Sequence, residues 1–286
     1  MSAPGCEEGA WTLPQTRRTF HYRLWRAAQP GALLVLVHGF GEHTGRYQSF
    51  ASALAEQGLT VATPDLWGHG RSGGSRGDLG SIARCAAQLR ALTHAVFLPR
   101  CGSNAYAIFG HSFGGLVAIQ WGLDDRDVRR IVVQSPLLAV GFRIPRWKAL
   151  AASVLGWCCP HCALPMDVDV HALSRNPAIV EAYRTDPLVH NRMSAGTYRA
   201  MHRAQEEAMS RAPALRAPVL LLCGAADRIV SVDAATRWLG RVECETHQRI
   251  FPACYHELHH EPVAAEVVQL VCQWVLKDRV PTLPSG

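Results

Sequence analysis

The 286-residue chain lacks any uninterrupted apolar stretch near the roughly 20 residues that a membrane-spanning helix needs. Its opening, MSAPGCEEGAW, lacks both the basic start and the apolar run of a secretory signal. The expected setting is therefore the cytoplasm, with peripheral attachment at the inner membrane surface as its variant. Charge is scarce, at 18% of residues against 48% hydrophobic, which excludes a disordered chain and leaves a globular one with a sizeable core. No internal repeat or low-complexity tract is present, which excludes solenoids and linkers. A basic stripe interleaved with aromatics is missing too. The net charge of +6 comes from scattered arginines such as Arg17, Arg18, Arg129 and Arg130, so no nucleic acid partner is expected. Cysteine, by contrast, is not scarce, with ten residues. Cys85, Cys223 and Cys272 stand inside apolar runs, where a reduced thiol acts as a small hydrophobe, and a secreted disulfide framework is not expected.

What is present alternates between two periods. Residues 19–25, TFHYRLW, place Phe20, Tyr22 and Leu24 on one face at period two, as in a half-buried strand. Continuous apolar runs follow at 32–37, 59–64, 105–110, 130–135, 218–224 and 247–253, the pattern of strands covered on both faces in a parallel sheet. Helical periods separate several of them, including 47–58 and 263–277. Strands alternating with helices predict an α/β fold with a mostly parallel, doubly wound sheet. Residues 140–212 interrupt this rhythm: they show no clear buried strand but helix-like pieces at 146–157, 176–183 and 195–209. An insertion of that length is too large for a loop and predicts a helical cap subdomain, with 1–139 and 213–286 forming the main domain.

Gly110-His111-Ser112-Phe113-Gly114 fits G-x-S-x-G and lies between an apolar β run and an apolar helix start. There the glycines permit a sharp turn that exposes the serine hydroxyl at a helix N-terminus. Ser72 and Ser75 also fit the pattern, but within a charged, glycine-rich loop. A serine nucleophile needs a base, and in this arrangement an Asp or Glu and then a His follow on later strand ends. Asp227 stands just past the run 218–224, and His256 just past the run 247–253. The catalytic candidates are therefore Ser112, Asp227 and His256. The backbone N–H groups of Phe113 and of Phe40, in the loop after 32–37, are the candidate oxyanion donors.

Six stretches, HGFGEHTGRY, PDLWGHGRSGG, GHSFGG, LSRNPAIVEAYRTDPLV, GAADRIV and YHELHHE, occur in an order and spacing that resembles the monoacylglycerol lipase and lysophospholipase branch of the α/β-hydrolases. The resemblance covers about residues 18–277. It implies the α/β-hydrolase fold, a triad of Ser112, Asp227 and His256, and polar contacts to a glycerol head group from Glu42, Arg46, Tyr183 and His259. It further implies hydrolysis of single-chain lipid esters, first among them monoacylglycerol, with lysophospholipids or short soluble esters as alternatives. Asp65 and His69 match positions that look architectural. The apolar stretch 145–166 suits contact with an acyl chain or a lipid surface. No metal or organic cofactor is implied.

Other motifs point elsewhere and carry less. His256-Glu257-Leu258-His259-His260 spells H-E-x-x-H, a zinc-protease pattern that needs both histidines on one helix. Pro262 directly after it places the helix start at or beyond Glu261, which leaves Glu257 and His260 as loop residues. Cys159-Pro160-His161-Cys162 fits the C-x-x-C of thiol exchangers but falls in the insertion. Gly68-x-Gly70-x-x-Gly73 fits a dinucleotide-binding string yet neither directly follows a strand nor clearly opens a helix. A non-catalytic binding protein on a hydrolase fold would be expected to have lost the triad, whose positions are all filled here.

Overall fold

A computed structural model describes residues 5–29, 31–142, 154–166 and 168–277. Ten strands run through these residues: β1 Cys6–Thr12, β2 Thr19–Trp25, β3 Ala32–Val37, β4 Leu59–Pro64, β5 Tyr106–His111, β6 Val128–Gln134, β7 Ala163–Pro165, β8 Arg192–Ser194, β9 Val219–Gly224 and β10 Thr246–Phe251. The helices are α1 Gln48–Glu56, α2 Ile82–Leu92, α3 Leu98–Cys101, α4 Phe113–Asp124, α5 over residues 154–158, α6 Pro177–Thr185, α7 Ala195–Arg211, α8 Val232–Leu239 and α9 Ala264–Leu276.

Eight strands form one sheet in the order β1-β2-β4-β3-β5-β6-β9-β10. β1, β2 and β4 pair antiparallel, and every pairing from β4 to β10 is parallel. Parallel strands need crossovers that cover both faces, and so β3, β4, β5 and β9 are buried along nearly their whole length. One face packs under α1 and α9, where Trp25, Phe50, Phe109 and Trp274 sit. The other packs under α2, α4, α7 and α8, around Phe97, Phe113, Trp121 and Trp238. Helix α4 lies between the sheet, α2 and α7, and is buried on all sides from Phe113 to Gly122. A helix wedged in this way has no polar face to show.

The expected strands and helices that fall on described residues recur within a residue or two, and the structure adds helices α2, α3 and α8 and the strands β1, β7 and β8. β1 is an exposed edge strand of polar composition, and its sequence carries no two-residue period to announce it. In the insertion, where no clear buried strand was expected, β7 and β8 form a short two-stranded antiparallel ribbon, with Met193 and Ser194 of β8 buried. Three-residue strands are too short to leave a periodic signal. The helical piece expected at 146–157 lies largely outside the described residues; 154–158 are helical. The pieces expected at 176–183 and 195–209 are α6 and α7. The carboxyl ends of β3, β5, β6, β9 and β10 open on one edge of the sheet, and the loops leaving that edge carry every triad and oxyanion candidate.

Candidate active site

Ser112 is the only residue between β5 and α4. To turn the chain so sharply it adopts φ 53°, ψ −116°, a left-handed region that costs a non-glycine residue on the order of 1–3 kcal/mol. Its flanking glycines are needed for space. A Cβ on Gly110 would fall 2.3 Å from the Gly114 carbonyl oxygen, and one on Gly114 would fall 2.2 Å from that of Val37. The strained backbone is held by its own hydrogen bonds. Ser112 N–H donates to Gln134 O at 3.0 Å, and its carbonyl accepts from Gly115 and Leu137 N–H, each at 2.9 Å. The result is a serine at the N-terminus of a buried helix, where the dipole favours developing negative charge.

Asp227 and His256 meet at the same edge. The Asp227 carboxylate accepts at one oxygen from Ile229 and Val230 N–H, at 2.8 and 3.0 Å, and at the other from His256 Nδ1–H at 2.7 Å. That bond fixes the tautomer and leaves Nε2 as the free acceptor. Ser135 Oγ–H donates to the His256 carbonyl at 3.1 Å and steadies the loop. Burial alone would lower the His256 pKa, but the charge and hydrogen bond of Asp227 outweigh it and raise it. Burial likewise opposes ionisation of Asp227, and the charge of His256 with three hydrogen bonds brings its pKa down. Among the described residues no hydrogen bond joins Ser112 Oγ to His256. Such contacts are often long without substrate and tighten in the complex.

Two more histidines crowd this pair, and the structure separates their states. Gln134 Nε2–H donates to His111 Nδ1 at 2.9 Å and to His259 Nδ1 at 2.8 Å. Both rings are thus acceptors at Nδ1 and neutral. Burial pushes the His111 pKa down to about 4 and that of His259 well below its usual value. Of His111, His256 and His259, His256 alone is poised to hold an extra proton. Gln134, which the sequence reading did not single out, fixes the tautomer of His111 and His259.

The loop after β3 is ordered from within. His38 Nε2 accepts from Leu66 N–H at 3.0 Å, so its Nδ1–H donates to Gly39 O at 2.7 Å. Glu42 Oε1 accepts from Gly39 N–H and from Tyr47 O–H, each at 2.6 Å. Among the described residues neither Phe40 N–H nor Phe113 N–H finds an acceptor, while the two rings pack edge to face at 5.3 Å. Two unpaired amides, one in the loop after β3 and one opening α4, can receive a developing oxyanion.

The four residues marked by resemblance for head-group contact have other partners. Glu42 Oε2 accepts from Arg46, and the Arg46 guanidinium also forms a two-pronged bond to Glu257, at 2.7 and 2.8 Å. The Tyr183 ring lies 4.7 Å from the Arg46 guanidinium carbon. His259 is 5% exposed and stacked on Tyr47 at 4.7 Å. The reading of Glu257 and His260 as plain loop residues is corrected. Glu257 is 1% exposed, and His260 Nδ1–H donates to it at 2.7 Å. A salt bridge across 211 positions leaves no pattern in a local stretch of sequence.

H-E-x-x-H does not form its zinc geometry. β10 ends at Phe251, Leu258–His260 is a single 3-10 turn, and α9 begins at Ala264. His256 and His260 turn to different carboxylates, and the Arg46 guanidinium already occupies Glu257. Glu257, His259 and His260 do come close together, but a dication there would face that guanidinium. Asp65 is architectural, accepting from Thr44 and Arg71 N–H at 2.8 Å each and from His21 at 3.2 Å. His69 packs edge-on to the Phe40 ring at 4.9 Å, behind the oxyanion loop.

A serine on a strained strand-to-helix turn, an Asp–His pair on later loops of the same sheet edge and this strand order together define an α/β-hydrolase. Residues 28–263 match the Hydrolase_4 family, described as serine aminopeptidase, S33. A monoacylglycerol lipase of Mycolicibacterium smegmatis is 32% identical over 265 residues, covering 89% of this chain and 92% of that protein. An uncharacterized abhydrolase domain-containing protein of Dictyostelium discoideum is 31% identical over 94% of this chain, which spans only 29% of that protein. The crystal structure of Paleococcus ferrophilus monoacylglycerol lipase superposes with a TM-score of 0.82 at 31% identity, covering 90% of this chain and 98% of that one. The chain belongs to the Hydrolase_4 family of α/β-hydrolases, in its monoacylglycerol lipase branch.

Proposed function

We propose that the protein is a serine esterase that cleaves monoacylglycerol to glycerol and a free fatty acid. The observation that carries this reading is the buried Asp227–His256 bond of 2.7 Å at the sheet edge where Ser112 is held in a strained turn. The names of the two lipases above support the substrate class. In the first half-reaction Ser112 Oγ attacks the ester carbonyl carbon while His256 Nε2 takes the hydroxyl proton. The proton then passes to the departing glycerol oxygen, which leaves the acyl group on Ser112. Water attacks that acyl-enzyme with His256 again as base and releases the fatty acid. Phe40 and Phe113 N–H groups hold the oxyanion, each donor contributing about 2.7–4 kcal/mol. Asp227 orients His256 and stabilises its imidazolium. These steps call on no metal or organic cofactor.

Residues 140–212 act as the cap in this reading. Tyr183, on α6 of that segment, reaches the loop holding Glu42 and Arg46. No described helix is long and apolar enough to cross a membrane. Trp157 and Val154 on α5, 76% and 53% exposed, suit peripheral contact with a lipid surface that delivers the substrate. A panel of monoacylglycerols, lysophospholipids and short soluble esters across acyl lengths, with Ser112→Ala as the blank, tests the proposal. The highest kcat/KM should fall on a monoacylglycerol, and turnover retained by Ser112→Ala would overturn the reading.

A further inference from the structure

Arg46 is the cation of the loop that follows β3, and its surroundings are closed. The side chain is 7% exposed. Its Nη1 donates to Glu42 Oε2 and, at 2.7 Å, to Glu257 Oε1, while Nη2 donates to Glu257 Oε2 at 2.8 Å. This cluster lies against the reacting centre. A Cβ on Gly39 would be 2.8 Å from Glu42 Oε1 and 3.5 Å from Ser112 Cβ. A Cβ on Gly41 would be 3.7 Å from the hydroxyl of Tyr183, the ring that stacks on Arg46.

The charge balance of the cluster follows from its contacts. Both carboxylates are held ionised, because the pull of Arg46 outweighs the burial that would otherwise raise their pKa values. His260 turns both ring nitrogens to acceptors, Glu257 Oε2 at 2.7 Å and the Arg46 carbonyl at 3.1 Å. Two carboxylates, Glu42 and Glu257, thus face one guanidinium. The cluster therefore offers no net positive charge to a ligand, and the Nη1–Nη2 end of the guanidinium is already matched to a carboxylate, which leaves a phosphate only its Nε side.

Resting on the esterase reading above, we propose that Glu257 is a specificity-determining residue. By taking Arg46 into a two-pronged ion pair it withholds that cation from substrate. The site therefore favours single-chain esters with an uncharged glycerol head group over those with an anionic phosphate head group. Glu257 reaches no reacting atom in this scheme; it acts through Arg46.

The test compares 1-decanoylglycerol with 1-decanoylglycerol 3-phosphate, both below their aggregation concentrations, on the full chain, with active sites counted by fluorophosphonate titration. The intact protein should favour the neutral ester in kcat/KM by more than tenfold. Glu257→Gln frees one face of the guanidinium and should raise the phosphate-to-neutral ratio at least tenfold, less so in high salt. Adding Arg46→Gln to that variant should return the ratio to its original value, which a merely structural role for Glu257 would not do. Glu257→Met removes the same charge and serves if the glutamine variant fails to fold. An unchanged ratio in both Glu257 variants, or a rise that survives loss of Arg46, would overturn the proposal. Absence of turnover on either ester would sink the esterase reading and this proposal with it. Turnover of the neutral ester with an unmoved ratio sinks this proposal alone.

Discussion

Replacing Asp227 with asparagine exchanges one oxygen for an NH2, and the surrounding bonds decide which end faces His256. Ile229 and Val230 N–H both donate to Oδ1, at 2.8 and 3.0 Å, so the amide oxygen must stay there to keep them. The NH2 then faces His256 Nδ1, a donor against a donor. The ring escapes only by moving its proton to Nε2, the nitrogen that must take the serine proton. Loss of the correct tautomer and of imidazolium stabilisation costs about 10⁴-fold in kcat elsewhere, or about 5 kcal/mol at 1.36 kcal/mol per decade. The pH profile should move as well. Turnover needs neutral His256, whose pKa is raised by Asp227, so the acid limb of kcat/KM lies above about 6.5 in the intact protein. Without that carboxylate, burial is opposed only by the weaker pull of Glu257 and Glu42, and the limb shifts to lower pH. Stability follows the same signs. The Asp227 share is present above the carboxylate range and lost on acidification, and the His256 share is full below about 6.5 and lost as pH rises through the raised value. The pair therefore supports the fold most between about pH 4 and 6.5. Stopped-flow hydrolysis of a soluble ester across pH reads both effects. A variant within tenfold of the parent, or one whose acid limb stays in place, would refute the assigned roles.

Three further outcomes are expected. Ser112→Gly abolishes turnover but relieves the φ 53° strain, so the urea midpoint should rise by the equivalent of about 1 kcal/mol; a lower midpoint would contradict the strained turn. Arg46→Met leaves Glu42 and Glu257 buried without their cation and should destabilise the fold by about 3–5 kcal/mol. Part of that loss should be regained as pH falls and the carboxylates protonate, again measured by urea unfolding. Trp157→Ser should lower turnover of monoacylglycerol embedded in vesicles severalfold while leaving a soluble butyrate ester unaffected, and an equal effect on both would remove the lipid-surface role.

The sheet was legible because a parallel strand buried on both faces must be apolar throughout, as ALLVLV and PVLLLCG are. The order of the candidates was legible because Ser112, Asp227 and His256 each stand one short step past such a run. β1 was not, since an exposed edge strand with Glu7, Glu8 and Gly9 buries too little to need a pattern. The partners of Arg46 were not, because a fork to Glu257 pairs residues distant in sequence and only the fold brings them together. The H-E-x-x-H string shows the reverse case, a pattern without its geometry. Pro262 signalled the late helix start, and the backbone agrees, with α9 opening at Ala264. Gln134 ends an apolar strand with nothing in the sequence to mark it, yet its amide donates to Nδ1 of both His111 and His259 and fixes their tautomers.

Acid quench of monoacylglycerol turnover within milliseconds, followed by peptide mass spectrometry, tests the central claim most directly. The substrate's acyl group should be found esterified to Ser112, and both adduct and turnover should vanish in Ser112→Ala. An acyl group on another residue, or turnover that persists without Ser112, would contradict it.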